Sequence, residues 1–567
     1  MGKLIAALVC LGVSCVLAAD DFKPLPPPEW LRGCDAFSCG WGYPDDPAKI
    51  TEAMWKQIAR VRFCTHVPGN AQLWKAAREH GVFMMPYITV YQHPMAEDAG
   101  TKGEYLGYNM ADHPDWPVFN EDGSAQKSVF YDDATYRWAE MCSNCPEYVD
   151  YCLAFCRKVL DQGACGFFID NVHCSGRCFG EQLGKHKHIL PGTDRQRESF
   201  RNLLQQIQKL CREYSPDYTT MLNAGGPTAE FGPAGDTVMW ESYIVSCNEQ
   251  LRSQTWEQVR PMAEQWRPMT EEGHYIAALS YVGLGTPFGL KDDCFYTYAA
   301  ARLSGFIWTG GAGSGQDPRA VLYAVRLGKP LGWMYRKAGV WVREFERGFV
   351  ALNPSGERPL QLTSAMAVGP KTSFRRIVPL ASVASDAEPR LQFYSTDRRG
   401  EFTVTITVNG QVVKVYKPED LTSAAEILWR WKNLALDPKL LTERNEVVFT
   451  IEGQPNGHCN FWLRIDQSRT DRLSACAPDG ASFVTDDLSP DEGKQTGEYM
   501  VRIAGKGFQE ATPDAGTSGR AHTLRIPWRP EWNGLRDVYS GQTLEPTSDG
   551  KVQVRIPPQA GRVYAMP

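Results

Sequence analysis

The sequence predicts an α/β protein, a (β/α)8 TIM barrel followed by all-β sandwich domains. Over residues 20–335 short apolar runs alternate with helix-like segments, and after about residue 336 the apolar period falls to two. The 51 Gly and 38 Pro among 567 residues supply the turns that such a chain needs. This length exceeds one ordinary core and points to two to four domains, at roughly 150 residues each.

Trp30–Trp41 reads as a first strand running into a Gly/Pro loop. Thr51 caps a helix with Trp55, Ile58 and Ala59 on one face, and Val61–His66 reads as the second strand. Asn70 caps the next helix, Gly81 ends it, and Val82–Val90 is a near-continuous apolar run of the kind found in strands buried on both faces. Residues 92–145 form a long aromatic loop carrying Tyr105, Tyr108, Trp116, Phe119, Tyr131, Tyr136 and Trp138, expected to cover part of an active site. Pro146 opens an amphipathic helix with Tyr148, Cys152, Phe155, Cys156 and Val159 facing inward and Gly163 past its end. The strand Gly166–Ile169 stops at Asp170-Asn171, and Phe200, Leu203, Leu204, Ile207, Leu210 and Cys211 mark a long helix. Tyr218–Leu222, Thr237–Trp240, Tyr275–Leu279 and Phe306–Trp308 read as the later strands. Seven or eight such units over about 300 residues fit a barrel. A doubly wound sheet is the alternative, but no Gly-rich phosphate loop follows any strand.

Beyond the barrel, Val340–Phe345 and Phe349–Leu352 read as a hairpin, and Phe402–Val408 and Val412–Tyr416 as another, turning at Asn409-Gly410. The expected organisation is a signal peptide over 1–19, a catalytic barrel over 20–335, a C-terminal β-sandwich from 336–370 plus 511–567, and an inserted β-module over 371–510. The signal peptide is read from Lys3, the apolar run Leu4–Leu17 and the small pair Ala18-Ala19, a stretch too short to span a bilayer. A secreted or periplasmic location, with no membrane span, is the expectation.

Sixty basic against 66 acidic side chains give a net charge of −6 with no Lys/Arg block, which speaks against nucleic acid as a partner. The 17 Trp, 23 Tyr and 24 Phe suit sugar rings, although most such residues pack cores. Export permits disulfides, with Cys34/Cys39, Cys142/Cys145 and Cys174/Cys178 the local pairs among 17 Cys. Zinc at Cys142-Ser143-Asn144-Cys145 is disfavoured because no second CxxC follows at zinc-ribbon spacing. His186 and His188 read as residues of a polar surface loop; no metal or cofactor is expected.

Ionisable residues recur where barrel strands end, which is where barrel enzymes carry their chemistry. Asp35 follows the first strand, His93 the third, Asp170 the fourth and Glu241 the sixth. Asp170 ends a fully apolar run, where a carboxylate is costly unless it faces a polar cavity; Glu241 ends Val238-Met239-Trp240 in the same manner. Two carboxylates across a mouth lined with aromatic residues are what glycosidic cleavage requires. Asp35, His93, Asn171, His173, Asn223 and Tyr243 are the candidate ligands for sugar hydroxyls. No Gly-x-Ser-x-Gly elbow is present, which argues against an α/β-hydrolase.

The segment Gly166-Phe167-Phe168-Ile169-Asp170-Asn171-Val172-His173 resembles the fourth-strand motif of the α-galactosidase-like and endo-polygalactosaminidase-like barrel glycosidases. The upstream block His113-Pro114-Asp115-Trp116, Asp122-Gly123, Met141-Cys142 and Pro146-Glu147-Tyr148 is similar to their Trp-bearing loop. The resemblance covers about residues 30–335 and implies a glycoside hydrolase with Asp170 as nucleophile and Glu241 as acid/base. The sequence departs from α-galactosidases in having Glu241, within Trp-Glu-Ser, where they have Asp, and in reducing their first-strand acidic motif to Cys34-Asp35. The ending Leu535–Gly541 with Val552–Pro558 resembles the C-terminal β-domain of many barrel glycosidases, and residues 371–510 are similar to a jelly-roll sugar-binding module. A secreted glycosidase acting on a poly- or oligosaccharide through a retaining mechanism is the resulting expectation. Its alternative is a non-catalytic carbohydrate-binding surface protein built on a decayed barrel, which would need neither carboxylate.

Overall fold

The computed structural model describes residues 24–39, 46–58, 63–67, 70–94, 112–132, 137–224, 230–247, 252–272, 275–282, 290–311, 317–397, 401–420, 430–453, 461–469, 471–489, 494–510 and 519–567. The expected signal peptide lies outside them. Eight strands form one parallel sheet in chain order: β1 (Ser38–Cys39), β2 (Phe63–Val67), β3 (Phe83–Ile88), β4 (Gly166–Ile169), β5 (Thr219–Leu222), β6 (Thr237–Trp240), β7 (Tyr275–Leu279) and β8 (Ile307–Thr309). A parallel bridge from Ala36 to Trp308 returns β8 to β1, with the Phe37 amide donating to the Trp308 carbonyl at 3.0 Å, so the sheet closes on itself. The (β/α)8 barrel stands. Its outer helices are α1 (Glu52–Ile58), α2 (Ala71–Glu79), α3 (Pro146–Asp161), α4 (Gln196–Tyr214), α5 (Trp256–Glu272), α6 (Leu290–Ser304) and α7 (Pro318–Tyr323).

The start of the chain differs from expectation. Instead of a strand over Trp30–Trp41, residues Glu29–Gly33 close a 3-10 helix behind Pro28, and β1 is only two residues long. Asp35 therefore precedes β1 rather than following it.

The barrel interior is filled by Phe37, Cys39, Met85, Phe168, Met221, Met239, Ala277, Leu279 and Ile307, one or two inward positions from each contributing strand. Side chains alternate faces with period two along a strand. The next inward position beyond this packed layer is therefore Tyr87, Asp170, Asn223, Glu241 and Tyr281, all at or just past the C-terminal strand ends. β4 approaches β5 closely enough that a Cβ on Gly166 would overlap the Thr219 carbonyl, and Gly166 takes a positive φ of 136°. No other residue fits there.

Strands Tyr335–Lys337, Val340–Phe345 and Gly348–Asn353 form an antiparallel sheet with Ala560–Ala565 and Arg536–Asp537, so sequence on both sides of a long insertion builds one sheet. Val340, Val342 and Phe349 pack there with Leu524, Ile526, Trp532, Val552 and Val554. The other face docks on the barrel: Phe345, Val350, Leu352 and Val563 belong to the same core as α6. Glu357 accepts from the Trp256 amide at 2.9 Å, and Arg562 stacks on Tyr539, whose ring meets Phe295. The inserted ten-stranded antiparallel system begins at Leu362–Met366, which pairs with Phe461–Asp466, and has its own core around Phe374, Phe393, Ile406 and Phe449. Asn409 and Gly410 both take positive φ, 50° and 80°, in the tight turn between Thr403–Val408 and Gln411–Tyr416. Among the described residues no helix is long and apolar enough to cross a membrane.

Candidate active site

Backbone ladders that continue past β3, β4 and β5 set the site. The Asp170 amide donates to the Ile88 carbonyl at 2.9 Å, the Asn223 amide to Ile169 at 2.8 Å, and the Val172 amide to Asn223 at 3.0 Å. These bonds hold Asp170 and Asn223 side by side at the mouth. Asn171 then leaves the strand in the left-handed region, φ 52°, a conformation Asn tolerates better than most residues.

Asn223 joins the two carboxylates. Its Nδ2 donates to Asp170 Oδ1 at 2.8 Å and to Glu241 Oε2 at 2.9 Å. The Tyr87 hydroxyl donates to Asp170 Oδ2 and the Tyr281 hydroxyl to Glu241 Oε1. Burial pushes the Asp170 carboxyl above its ordinary value, opposed first by the bonds from Tyr87 and Asn223 and then by the Asn171 amide, while the Glu241 charge adds to the rise. The Tyr281 phenol is pushed far up by burial and by Glu241, so it remains a proton donor. Asp170 and Glu241 are both half-buried residues. A pair of facing carboxyl groups, each anchored by a tyrosine and linked through one amide, can divide into an acid and a nucleophile or base.

Tyr87 and Tyr281 were not picked out from the sequence. Tyr87 is hidden in the apolar run Val82–Val90, and Tyr281 follows a strand without a charge to mark it. The signal for both was periodicity: each stands two residues beyond an inward core residue, Met85 or Leu279.

Two expected sugar ligands are misplaced. Asp35 lies at the opposite end of the barrel, because the chain enters β1 after it; buried there, it pairs with Arg302 at 2.8 Å and accepts from the Leu327 amide at 2.9 Å. Tyr243 is fully buried, with its hydroxyl 3.2 Å from Ser304 Oγ and its ring against Trp240 and Phe306. The cause is the turn after β6. Ser242 and Ile244 both take positive φ, 59° and 64°, which sends Tyr243 into the helix layer while Glu241 stays at the mouth. His93, in the short strand Gln92–Pro94, is buried with Nε2 3.2 Å from the Tyr148 hydroxyl of α3, and desolvation lowers it to about 3. His173 sits half-buried, edge-on to the Tyr91 ring.

Two aromatics of the long loop pack elsewhere than expected. Trp116 stacks on His113 and packs on Tyr148 and Tyr151 of α3, and Phe119 meets His186; neither belongs to the Asp170 layer. Tyr105, Tyr108 and the side chains of Tyr131 and Tyr136 lie outside the described residues. Buried Glu140 from this region accepts from the Ser175 amide and hydroxyl, both at 2.8 Å, and burial raises it to about 7.

The described cysteines are thiols. Cys34, Cys39, Cys142, Cys145, Cys174 and Cys178, expected to pair locally, are all unbonded. Cys39 faces the barrel interior, Cys145 precedes α3 and donates to Glu147 at 3.3 Å, and Cys142 points toward Cys178, not Cys145. His186 and His188, read as surface residues, are buried beside them.

Residues 85–349 match the model of a family described as hypothetical glycosyl hydrolase family 15. The match spans β3 to β8, includes Tyr87, Asp170, Asn223, Glu241 and Tyr281, and supports glycosidase activity. No curated protein matches the chain. Similar solved structures include the glycoside hydrolase domain of PelA from Pseudomonas aeruginosa, at 15% identity over 49% of this chain and 93% of that one, with a TM-score of 0.32. An α-galactosidase from Thermus thermophilus shares 14% identity over 50% and 58%, with a TM-score of 0.33. A GH27 β-L-arabinopyranosidase from Geobacillus stearothermophilus shares 11% over 75% and 98%, with a TM-score of 0.35.

Proposed function

We propose that this glycosyl hydrolase cleaves an O-glycosidic bond of a poly- or oligosaccharide with retention, Asp170 acting as nucleophile and Glu241 as general acid/base. The observation that carries the reading is the Asn223 bridge. Bonds of 2.8 and 2.9 Å from one nitrogen cap the separation of the two bonded oxygens at about 5.7 Å, near the roughly 5–5.5 Å of retaining pairs and short of the roughly 6.5–9.5 Å that inversion needs. In the first step an Asp170 oxygen bonds to the anomeric carbon while Glu241 gives its proton to the departing glycosidic oxygen. In the second, Glu241 takes a proton from water, whose oxygen attacks that carbon and frees Asp170. Three donors to Asp170, namely Tyr87, Asn223 and the Asn171 amide, favour its anion against burial.

Export after loss of residues 1–19 belongs to the same reading, supported by the apolar run and small residues there. So does a non-catalytic, sugar-binding role for the inserted β-module, whose separate core suits an accessory domain.

The test is reducing-sugar release across a panel of polysaccharides and nitrophenyl glycosides, repeated with variants. Asp170→Ala is expected to abolish turnover. Glu241→Ala is expected to keep activity on substrates with good leaving groups and to be rescued by azide with a glycosyl azide of retained configuration. Equal, unrescuable loss at both positions would reject these roles. Polysaccharide retention with no release from any substrate would reject the enzyme.

A further inference from the structure

Four side chains that this chemistry does not use converge beside the barrel mouth. Cys142, Cys178, His186 and His188 each offer one ligand atom, and all four atoms lie within 4.8 Å of one another. A zinc tetrahedron with arms of about 2.0–2.3 Å has edges of about 3.3–3.8 Å, so no pair needs to close by more than about 1.5 Å. Cys178 Sγ and His186 Nε2 are already 3.5 Å apart.

The surroundings are those of a built site. His186 Nδ1 lies 2.5 Å from the Asp115 carbonyl oxygen, which can only accept; the proton is therefore on Nδ1, and Nε2 presents its lone pair to the cluster. The Gly180 amide donates to Cys178 Sγ at 3.4 Å, and a Cβ on Gly180 would overlap the His186 ring. The His188 side chain is only 1% exposed, and neither ring nitrogen has a hydrogen-bond partner; Glu181 Oε2 stands 3.8 Å from Nδ1. A buried imidazole with both nitrogens unsatisfied is costly unless something else binds it.

We infer that Cys142, Cys178, His186 and His188 form a structural zinc site that staples the loop between β4 and α4 to the segment before α3. Two thiolates and two imidazoles make a closed set with no position left for water, which is the pattern of structural rather than catalytic zinc. Binding turns two thiols into thiolates and releases two protons. The staple secures the loop that starts at Asn171 and carries Ser175, the partner of Glu140, so it would hold the wall next to Asp170. The site stands independently of the glycosidase assignment.

The full chain, purified without chelators, is expected to carry about one zinc per molecule by mass spectrometry. Its X-ray absorption is expected to show two sulfurs at about 2.3 Å and two nitrogens at about 2.0 Å. Cys178→Ser and His188→Ala should each lower bound zinc at least tenfold, while Cys145→Ser, close in sequence but outside the cluster, should retain it. Chelation should lower the melting temperature and added zinc restore it. A zinc-free native protein, an oxygen-dominated shell, or a Cys142–Cys178 disulfide in unreduced peptides would each overturn the assignment. The measurements on the native chain decide the matter even where a variant fails to fold.

Discussion

Asn223→Ala tests the bridge between the carboxylates without touching either of them. The substitution removes one hydrogen bond of 2.8 Å to Asp170 and one of 2.9 Å to Glu241. Hydrogen bonds to charged groups contribute about 1.5–3 kcal/mol each when buried. Both carboxylates here are half-buried and water can occupy part of the vacated space, so a loss of about 2–3 kcal/mol is the working figure. At 1.36 kcal/mol per decade this is roughly a 30- to 200-fold fall in kcat/KM. The pH profile gives a second readout. As the proposed nucleophile, Asp170 must be ionised to attack; burial already raises its pKa, and the Asn223 bond is one of the groups that lowers it. Removing that bond moves the acid limb of kcat/KM to higher pH. Asn223→Asp should be worse than Ala, because a third carboxylate then stands between the other two. Steady-state kinetics from pH 4 to 9 on a nitrophenyl glycoside, with circular dichroism to verify folding, make the comparison. A folded Ala variant with unchanged kcat/KM and an unmoved acid limb would refute the bridge as a catalytic device.

Three other outcomes are expected. Asp35→Ala should cost about 3–5 kcal/mol in stability by leaving Arg302 buried without its 2.8 Å partner, as urea melts would show, while kcat of the folded fraction stays near normal; selective loss of kcat would restore Asp35 to the active site. Tyr243→Phe should cost about 1 kcal/mol through the lost Ser304 contact and leave KM unchanged, so a large KM effect would contradict its burial. Glu140 has its folded pKa raised from 4.5 to about 7, so the folded state holds the extra proton and this group's contribution to stability falls as pH rises across that window, by roughly 3 kcal/mol at most. Glu140→Gln should flatten that part of the difference in melting temperature against pH; parallel curves would show that Glu140 is not strained by burial.

What the sequence determined by itself was the barrel and the two carboxylates. Gly166–Ile169 and Val238–Trp240 are apolar at every position, which only a strand covered on both faces supports, and an acid directly after such a strand has to face a polar cavity. Other features depended on where the chain goes. The end of the barrel at which Asp35 lies turns on where β1 begins, and the 3-10 helix at Glu29–Gly33 delays it. The inward direction of Glu241 and the outward one of Tyr243 turn on the left-handed residues Ser242 and Ile244, which no periodicity announces. Helix α5 forms across Pro261 and Pro268, residues that interrupt a helical pattern locally, because Trp256, Val259 and Ala263 are buried in the barrel's outer core. The Cys/His cluster joins Cys142 to residues 36 to 46 positions away, and Cys145, its neighbour in sequence, is excluded by the turn into α3. Local pattern reports burial and strand direction because both follow from short-range periodicity. Partnership between distant side chains is decided by the closure of the barrel and the packing of its loops, and only the tertiary structure contains it.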